Sequence, residues 1–330
     1  MALPHIHLPK TEGSVQDDSG WPRIAVLGAG AVGAFYGGML ARAGAPVTLI
    51  GRPAQADAIM RDGLTVEWAD RRETIRVAAA VDPAAARDAE VVLVCVKSLD
   101  TEAAARSLQP QRRADTAVLS LQNGVDNGQR LRTVLAQPVF ATVVYVGAIN
   151  VAPGIVRHTG RGDLVLGPLA RDLARNATLI ERAQSLAAMF ERAGVPCVVS
   201  ETIEADLWRK LSINCVYNAI SALGHANYGR MLAHGLTRDL IPVIVAECVE
   251  VARADGVALD EGSLLQSSLA VGAALATQIS STAQDVRRGR RTEIDALNGY
   301  VAERGAALGI PAPINRTLHA LVKLREEAPD

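Results

Sequence analysis

The sequence is poor in aromatics, poor in cysteine and close to neutral, and each scarcity narrows what the chain can be. Phe, Trp and Tyr make up 3% of its 330 residues, so its interiors must be filled by small aliphatic side chains. The formal net charge of −1 provides no global field to draw in nucleic acid or an anionic membrane. Cys95, Cys197, Cys215 and Cys248 stand far apart with no C-x-x-C pair, and three of them lie in apolar runs, where a cysteine acts as a small buried hydrophobe. The six histidines show no metal-ligand spacing either. No apolar run reaches the roughly 18–20 residues needed to span a bilayer. Residues 1–22 lack the apolar centre of a signal peptide and the Arg-rich face of a transit peptide. Their Pro, Gly, Ser and Asp content predicts a disordered extension, and a reducing cytoplasm is the expected compartment.

Apolar material is plentiful by contrast, at 49% of residues, and the length suits two domains. From about Arg23 to Glu201, short apolar runs (IAVLGAG, PVTLIG, VVLVCVK, AVLSLQNG, FATVVYVGA) alternate with helix-like segments. Continuous apolar strands of this kind predict a parallel sheet buried on both faces. LTVEW and ETIRVAA flank a polar turn and read as a hairpin insertion, and GIVRHTGRGDLVLG reads as a later hairpin. From Thr202 onward only helical segments are recognisable. The expected class is α/β, with a Rossmann-type parallel-sheet domain over residues 23–201 and an all-α domain over 202–330.

Gly28-Ala29-Gly30-Ala31-Val32-Gly33 is a G-x-G-x-x-G sequence at the end of an apolar strand and the start of a helix. The first glycine makes the tight turn, the second admits the pyrophosphate of a dinucleotide, and the third lets helix and strand pack closely. The helix N-terminus supplies unpaired N–H groups and a favourable dipole for phosphate. The second strand ends Leu49-Ile50-Gly51-Arg52, without the carboxylate that would take the ribose hydroxyls in an NAD site. A guanidinium there suits a 2′-phosphate. The expected cofactor is therefore NADP(H), with Lys97 as a second positive charge on the same sheet edge.

In the helical half, Lys210, Asn214, Asn218 and Ser221 recur at helical spacing and place a polar stripe on an otherwise apolar helix. Asparagine is a poor residue for a helix interior, so this face is either solvent-facing or satisfied by a polar ligand. Further on, Ser281 with Gln284 reads as a capping box. Gly289 reads as a helix stop, Thr292 as the next cap, and Glu293 as a carboxylate in the first turn that follows.

Taken in order, these motifs resemble the ketopantoate reductase (2-dehydropantoate 2-reductase) family over nearly the whole chain after residue 22. The matching stretches are Gly28–Gly33, V-K-S at Val96–Ser98, Q-N-G at Gln122–Gly124 and P-G-x-V-x-H-x-G at Pro153–Gly160. W-R-K-L-x-x-N-C-x-x-N at Trp208–Asn218, the T-E-I-D block within Ser280–Gly299, and G-I-P-x-P-x-N at Gly309–Asn315 complete the series. The resemblance implies reduction of a 2-keto acid by NADPH, with ketopantoate and (R)-pantoate of pantothenate biosynthesis as substrate and product. It implies Lys210 as general acid and Glu293 as the residue that positions substrate and catalyst. Ser281, Asn214 and Asn218 would bind the substrate's carboxylate and hydroxyl groups. Asn123 would stand where cofactor and substrate meet, and Arg52 and Lys97 would face the 2′-phosphate. Asn227 falls near the place of a further substrate-contacting asparagine. Two alternatives stand beside this reading: a related NADP-dependent dehydrogenase of another branched or aromatic 2-hydroxy acid, and a regulatory NADPH-binding protein without turnover. The expected partners are a small 2-keto acid, with a homodimer left open, and neither nucleic acid nor a membrane.

Overall fold

The computed structural model describes residues 20–109, 113–174 and 176–327. Most of the expected disordered extension, residues 1–19, lies outside them. Its last residues depart from that expectation, because Trp21 is buried in the core with the Arg192 guanidinium stacked 3.9 Å from its ring centroid. The chain divides by its own contacts into two units.

The first unit runs to Val96 and resumes over Asp100–Gln122 and Gly128–Ile203. In order it contains β1 (Ile24–Leu27), α1 (Ala31–Arg42), β2 (Val47–Ile50), α2 (Pro53–Asp62), β3 (Leu64–Glu67), β4 (Arg72–Ile75), β5 (Ala78–Ala80) and β6 (Val91–Val94). Next come α3 (Thr101–Leu108), β7 (Ala117–Ser120), α4 (Asn127–Val134), β8 (Val139–Ala152), β9 (Ile155–Pro168), α5 (Ala170–Leu173), α6 (Thr178–Arg192) and β10 (Cys197–Val199). The strands join one sheet in the order β4-β3-β9-β8-β7-β6-β1-β2-β5, with β10 added to β9.

Within this sheet, β5-β2-β1-β6-β7-β8 is a parallel block with the strand order of a dinucleotide-binding fold. The expected hairpin of LTVEW with ETIRVAA is the antiparallel pair β3–β4. The run GIVRHTGRGDLVLG, expected to be a hairpin by itself, is instead the single strand β9, which pairs antiparallel along its length with β8 because its glycines bulge the strand without reversing it. Strand burial follows the apolar sequence. Ile24 and Val26 point into one core with α1 and α6, while Ala25 and Leu27 point into a second with α3 and α4. Two buried faces leave no polar alternation, and that is how β1 reads.

The second unit comprises Lys97–Leu99, Asn123–Asn127 and the chain from Glu204 onward. Its helices are α7 (Ile203–Gly224), α8 (Tyr228–Ala233), α9 (Gly235–Ala254), α10 (Glu261–Ala274), α11 (Ser281–Arg287), α12 (Asn298–Leu308) and α13 (Pro313–Glu327). Among its described residues there is no strand. Trp208, Leu211, Cys215, Val216 and Ala219 bury the apolar face of α7, with the Trp208 ring 5.8 Å from that of Tyr300 on α12. A buried polar chain fixes the same helices. Glu247 of α9 accepts from the backbone N–H groups of Ile314 and Asn315 and from the Asn315 amide, which caps α13. Asn298 then donates to Asn315 Oδ1 and to the Cys215 carbonyl on α7. A buried carboxylate is tolerable here because each of its oxygens has a donor.

Candidate active site

The candidate site residues fall into two sets, one in each unit. In the first unit they gather at the carboxyl ends of β1 and β6, where the strand order reverses and open α/β sheets bind ligands. Gly28 has φ +107°, and a Cβ there would come within 2.7 Å of the Cys95 and Val96 backbone. A Cβ at Gly33 would lie 2.1 Å from the Gly28 carbonyl oxygen, so only glycine lets α1 start this close to β1. Gly30 is different: a Cβ there meets nothing within 4 Å, although Gly30 caps a helix without any side-chain acceptor. Open space in front of unpaired helix N–H groups is what a pyrophosphate requires. Ala29 is buried, its N–H bonded to the Ile50 carbonyl, while Ala31 and Val32 open α1. Arg52 is exposed at the N-cap of α2, and its guanidinium makes no ion pair among the described residues. The loop therefore fits a dinucleotide, with Arg52 available for an anionic group on it.

In the second unit a polar chain converges on α7. Lys210 Nζ donates to Asn123 Oδ1 at 3.1 Å, and Asn123 Nδ2 donates to Glu293 Oε2 at 2.9 Å. The other carboxylate oxygen accepts from the Ser98 N–H at 3.1 Å and from the Ser98 hydroxyl. Asn127 Nδ2 in turn donates to Ser98 Oγ and to the Asn123 carbonyl. Gly124, at φ +101°, makes the turn between Asn123 and Asn127 that lets this happen. Lys210 and Glu293 do not touch: Asn123 links them, acceptor towards the lysine and donor towards the carboxylate. That polarity fixes the orientation of the amide.

Asn214 and Asn218 follow Lys210 on α7 at successive turns, and their side-chain amides make no hydrogen bond among the described residues. Asn218 is nevertheless buried, at 4% exposure. Ser221, the stripe's last member, has a structural role: it donates to the Ala226 carbonyl and accepts from the Ser280 N–H.

Two sequence expectations need correction, the cap of α11 and the setting of Glu293. The cap of α11 is Ser280, which accepts from the Ala283 N–H and donates to the Asn218 carbonyl. Ser281 is the exposed first residue of that helix, next to Asn218 through Ser280. Glu293 is not in the first turn of a helix. It precedes a single 3-10 turn at Ile294–Ala296, and α12 starts only at Asn298. Asn227 caps α8 by accepting from the Arg230 N–H. Lys97 is already engaged, donating to Asp285 at 3.0 Å and to the Arg291 carbonyl. Ser98 was legible only as part of V-K-S, with nothing local to show that it grips a carboxylate 195 residues away.

A glycine loop shaped for a dinucleotide, together with a lysine held by an asparagine–glutamate chain, defines a nicotinamide-dinucleotide-dependent oxidoreductase. The family described as "Ketopantoate reductase PanE/ApbA" matches residues 24–171, and its C-terminal counterpart matches residues 202–326. The chain belongs to the ketopantoate reductase family. It is 36% identical to the 2-dehydropantoate 2-reductase of Halobacterium salinarum, with 92% of this chain and 99% of that protein covered. The PanE/ApbA family ketopantoate reductase of Ralstonia eutropha JMP134 is 45% identical and superimposes with a TM-score of 0.85, covering 92% of this chain and 98% of that one. A D-mandelate dehydrogenase in complex with NADH and anilino(oxo)acetate shares the fold at 22% identity and a TM-score of 0.86, covering 92% of this chain and 98% of that one. Among the described residues, no helix is long and apolar enough to cross a membrane, and no group of three His, Cys, Asp or Glu side chains gathers to hold a metal ion.

Proposed function

We propose that this chain reduces 2-dehydropantoate to (R)-pantoate with NADPH. The observation that carries this reading is the chain Lys210–Asn123–Glu293, beside the two unpaired asparagine amides of α7. When bound, the reduced nicotinamide supplies the hydride. The protein has to hold the keto acid and neutralise the charge that develops on its oxygen. Lys210 is the general acid that gives a proton to that oxygen. Asn123, held through its amide by Glu293, keeps the lysine in one place. Asn214, Asn218 and Ser281 donate to the carboxylate and hydroxyl groups of the substrate.

Gly28 to Gly33 cradle the pyrophosphate. Arg52 faces the 2′-phosphate, and Lys97, whose ammonium Asp285 already matches, contributes the lesser share. The cytoplasm is the proposed compartment, consistent with four free cysteines.

Steady-state rates of NADPH oxidation with a panel of branched and aromatic 2-keto acids test the substrate. Ketopantoate should give the highest kcat/KM, and a clear preference for an aromatic acid would overturn the assignment. The same assay tests the cofactor. NADPH should be preferred to NADH at least about tenfold in kcat/KM, or about 1.4 kcal/mol, and Arg52→Ala should raise the KM for NADPH far more than that for NADH. Equal use of both cofactors by the parent enzyme would refute the role of Arg52. Ser281→Ala and Asn218→Ala should each raise the KM for the keto acid and leave the NADPH dissociation constant, measured by calorimetry, almost unchanged. Loss of NADPH affinity in either variant would move the substrate away from α7 and α11.

A further inference from the structure

Glu293 lies in an irregular segment between α11 and α12, with no regular element to fix its backbone. Its two flanks are instead tied to one face of α13. On one side, Glu326 Oε1 accepts from the Thr292 N–H at 2.8 Å and from the Thr292 hydroxyl at 2.5 Å. On the other side, Asp295 accepts from His319 Nε2 at 2.7 Å and from Lys323 Nζ at 3.1 Å. Lys323 also pairs with Glu326 at 3.0 Å, and Arg291 lies 3.6 Å from Asp295. His319, Lys323 and Glu326 thus form a stripe on α13 that grips Thr292, immediately before Glu293, and Asp295, two residues after it.

Glu326 is the unusual member of this stripe. It sits in the last turn of α13, where the helix dipole disfavours a carboxylate, and its side chain is only 10% exposed. A residue placed there against both dipole and burial needs a compensating contact, and Thr292, fully buried, supplies it. Burial alone would raise the Glu326 carboxyl. The Thr292 hydrogen bonds and the Lys323 charge outweigh this and bring it below the usual carboxylate range.

We infer that Glu326, through Thr292, is a positioning residue for the proton donor: it sets where Glu293 stands, hence how Asn123 presents its oxygen to Lys210. This inference rests on the reading of Lys210 as general acid. Glu326 touches neither substrate nor cofactor in this account.

The test is a set of variants assayed for kcat, both KM values and melting temperature. Glu326→Ala should lower kcat about tenfold, a coupling within the usual range for residues of one hydrogen-bonded network, with the KM for NADPH changed less than about twofold. Glu326→Gln keeps an oxygen for Thr292 and should recover kcat to within about threefold of the parent. In a Lys210→Ala background, Glu326→Ala should cost almost nothing more, because the group it positions is gone. Thr292→Val removes only the hydroxyl arm and carries the same expectations at a smaller size, so the inference stays testable if Glu326→Ala does not fold. A Glu326→Ala enzyme within twofold of the parent would overturn it, and so would an equal further loss of kcat in the Lys210→Ala background. The Lys210→Ala variant alone reports on the general acid, so a failure of that reading is distinguishable from a failure of this one.

Discussion

Lys210→Ala should lower kcat by roughly 10²–10⁴, the usual range for losing a general acid, while NADPH still binds. The glycine loop and Arg52, proposed to hold the pyrophosphate and the 2′-phosphate, belong to the first unit and are left unchanged by this substitution. Lys210 is half-buried and hydrogen-bonded to Asn123. If it were merely a surface cation, its removal would cost within about 0.5 kcal/mol of stability and little activity. Single-turnover measurement of hydride transfer, with NADPH affinity and melting temperature taken in parallel, separates these outcomes. A folded variant that binds NADPH and turns over within threefold of the parent would remove Lys210 from the mechanism.

The second large effect is expected at the glycine loop, where neighbouring glycines serve different ends. Gly33→Val should destabilise the first unit by about 3 kcal/mol or more, because its Cβ would sit 2.1 Å from the Gly28 carbonyl and 2.9 Å from Val26, well beyond ordinary overpacking. A fall in melting temperature of roughly 6–12 °C would register it. Gly30→Ala should behave in the opposite way. Its Cβ meets no protein atom within 4 Å, so stability should stay within about 0.5 kcal/mol, yet NADPH affinity should fall because the methyl occupies the approach of the pyrophosphate. A Gly30→Ala enzyme that binds NADPH like the parent would mean that the phosphates lie elsewhere.

The glycine loop also shows what a sequence makes readable. Gly28 and Gly33 act within a few residues of one another, on a strand–turn–helix pattern that is itself local, so the tight turn and the close packing they allow are legible without coordinates. The β3–β4 hairpin and the helical second half are equally readable from apolar periodicity, whereas the Gly- and Arg-rich run at 154–167 suggests a turn that the long pairing of β9 with β8 overrides. Errors appeared where a choice between adjacent residues depends on tertiary contacts. Ser280 and Ser281 are chemically identical candidates for the cap of α11, and only the Asn218 carbonyl and the Ser221 hydroxyl decide for Ser280. Trp21 was grouped with polar neighbours, although a large apolar ring seeks burial whatever surrounds it in sequence. Glu293 was placed in a first turn because its local pattern permits one; its partners, Ser98 and Asn123, are 195 and 170 residues away. Glu326 had no local signal at all beyond an ill-placed charge at a helix end.

The inclusion of Lys97–Leu99 and Asn123–Asn127 in the helical unit has a consequence for how the enzyme is made. Both segments are synthesised long before the residues they serve. Asn123 leaves the ribosome 170 residues ahead of Glu293, an interval of roughly 10–30 s at ordinary elongation rates. Throughout that time Ser98 and Asn123 have no carboxylate to donate to, so the chain Lys210–Asn123–Glu293 is completed only after nearly the whole polypeptide has emerged. A shortened chain that stops before Thr292 would carry a finished glycine loop and no means of holding Asn123 against the lysine. The helical half expressed alone would lack two of its own pieces, which are encoded upstream.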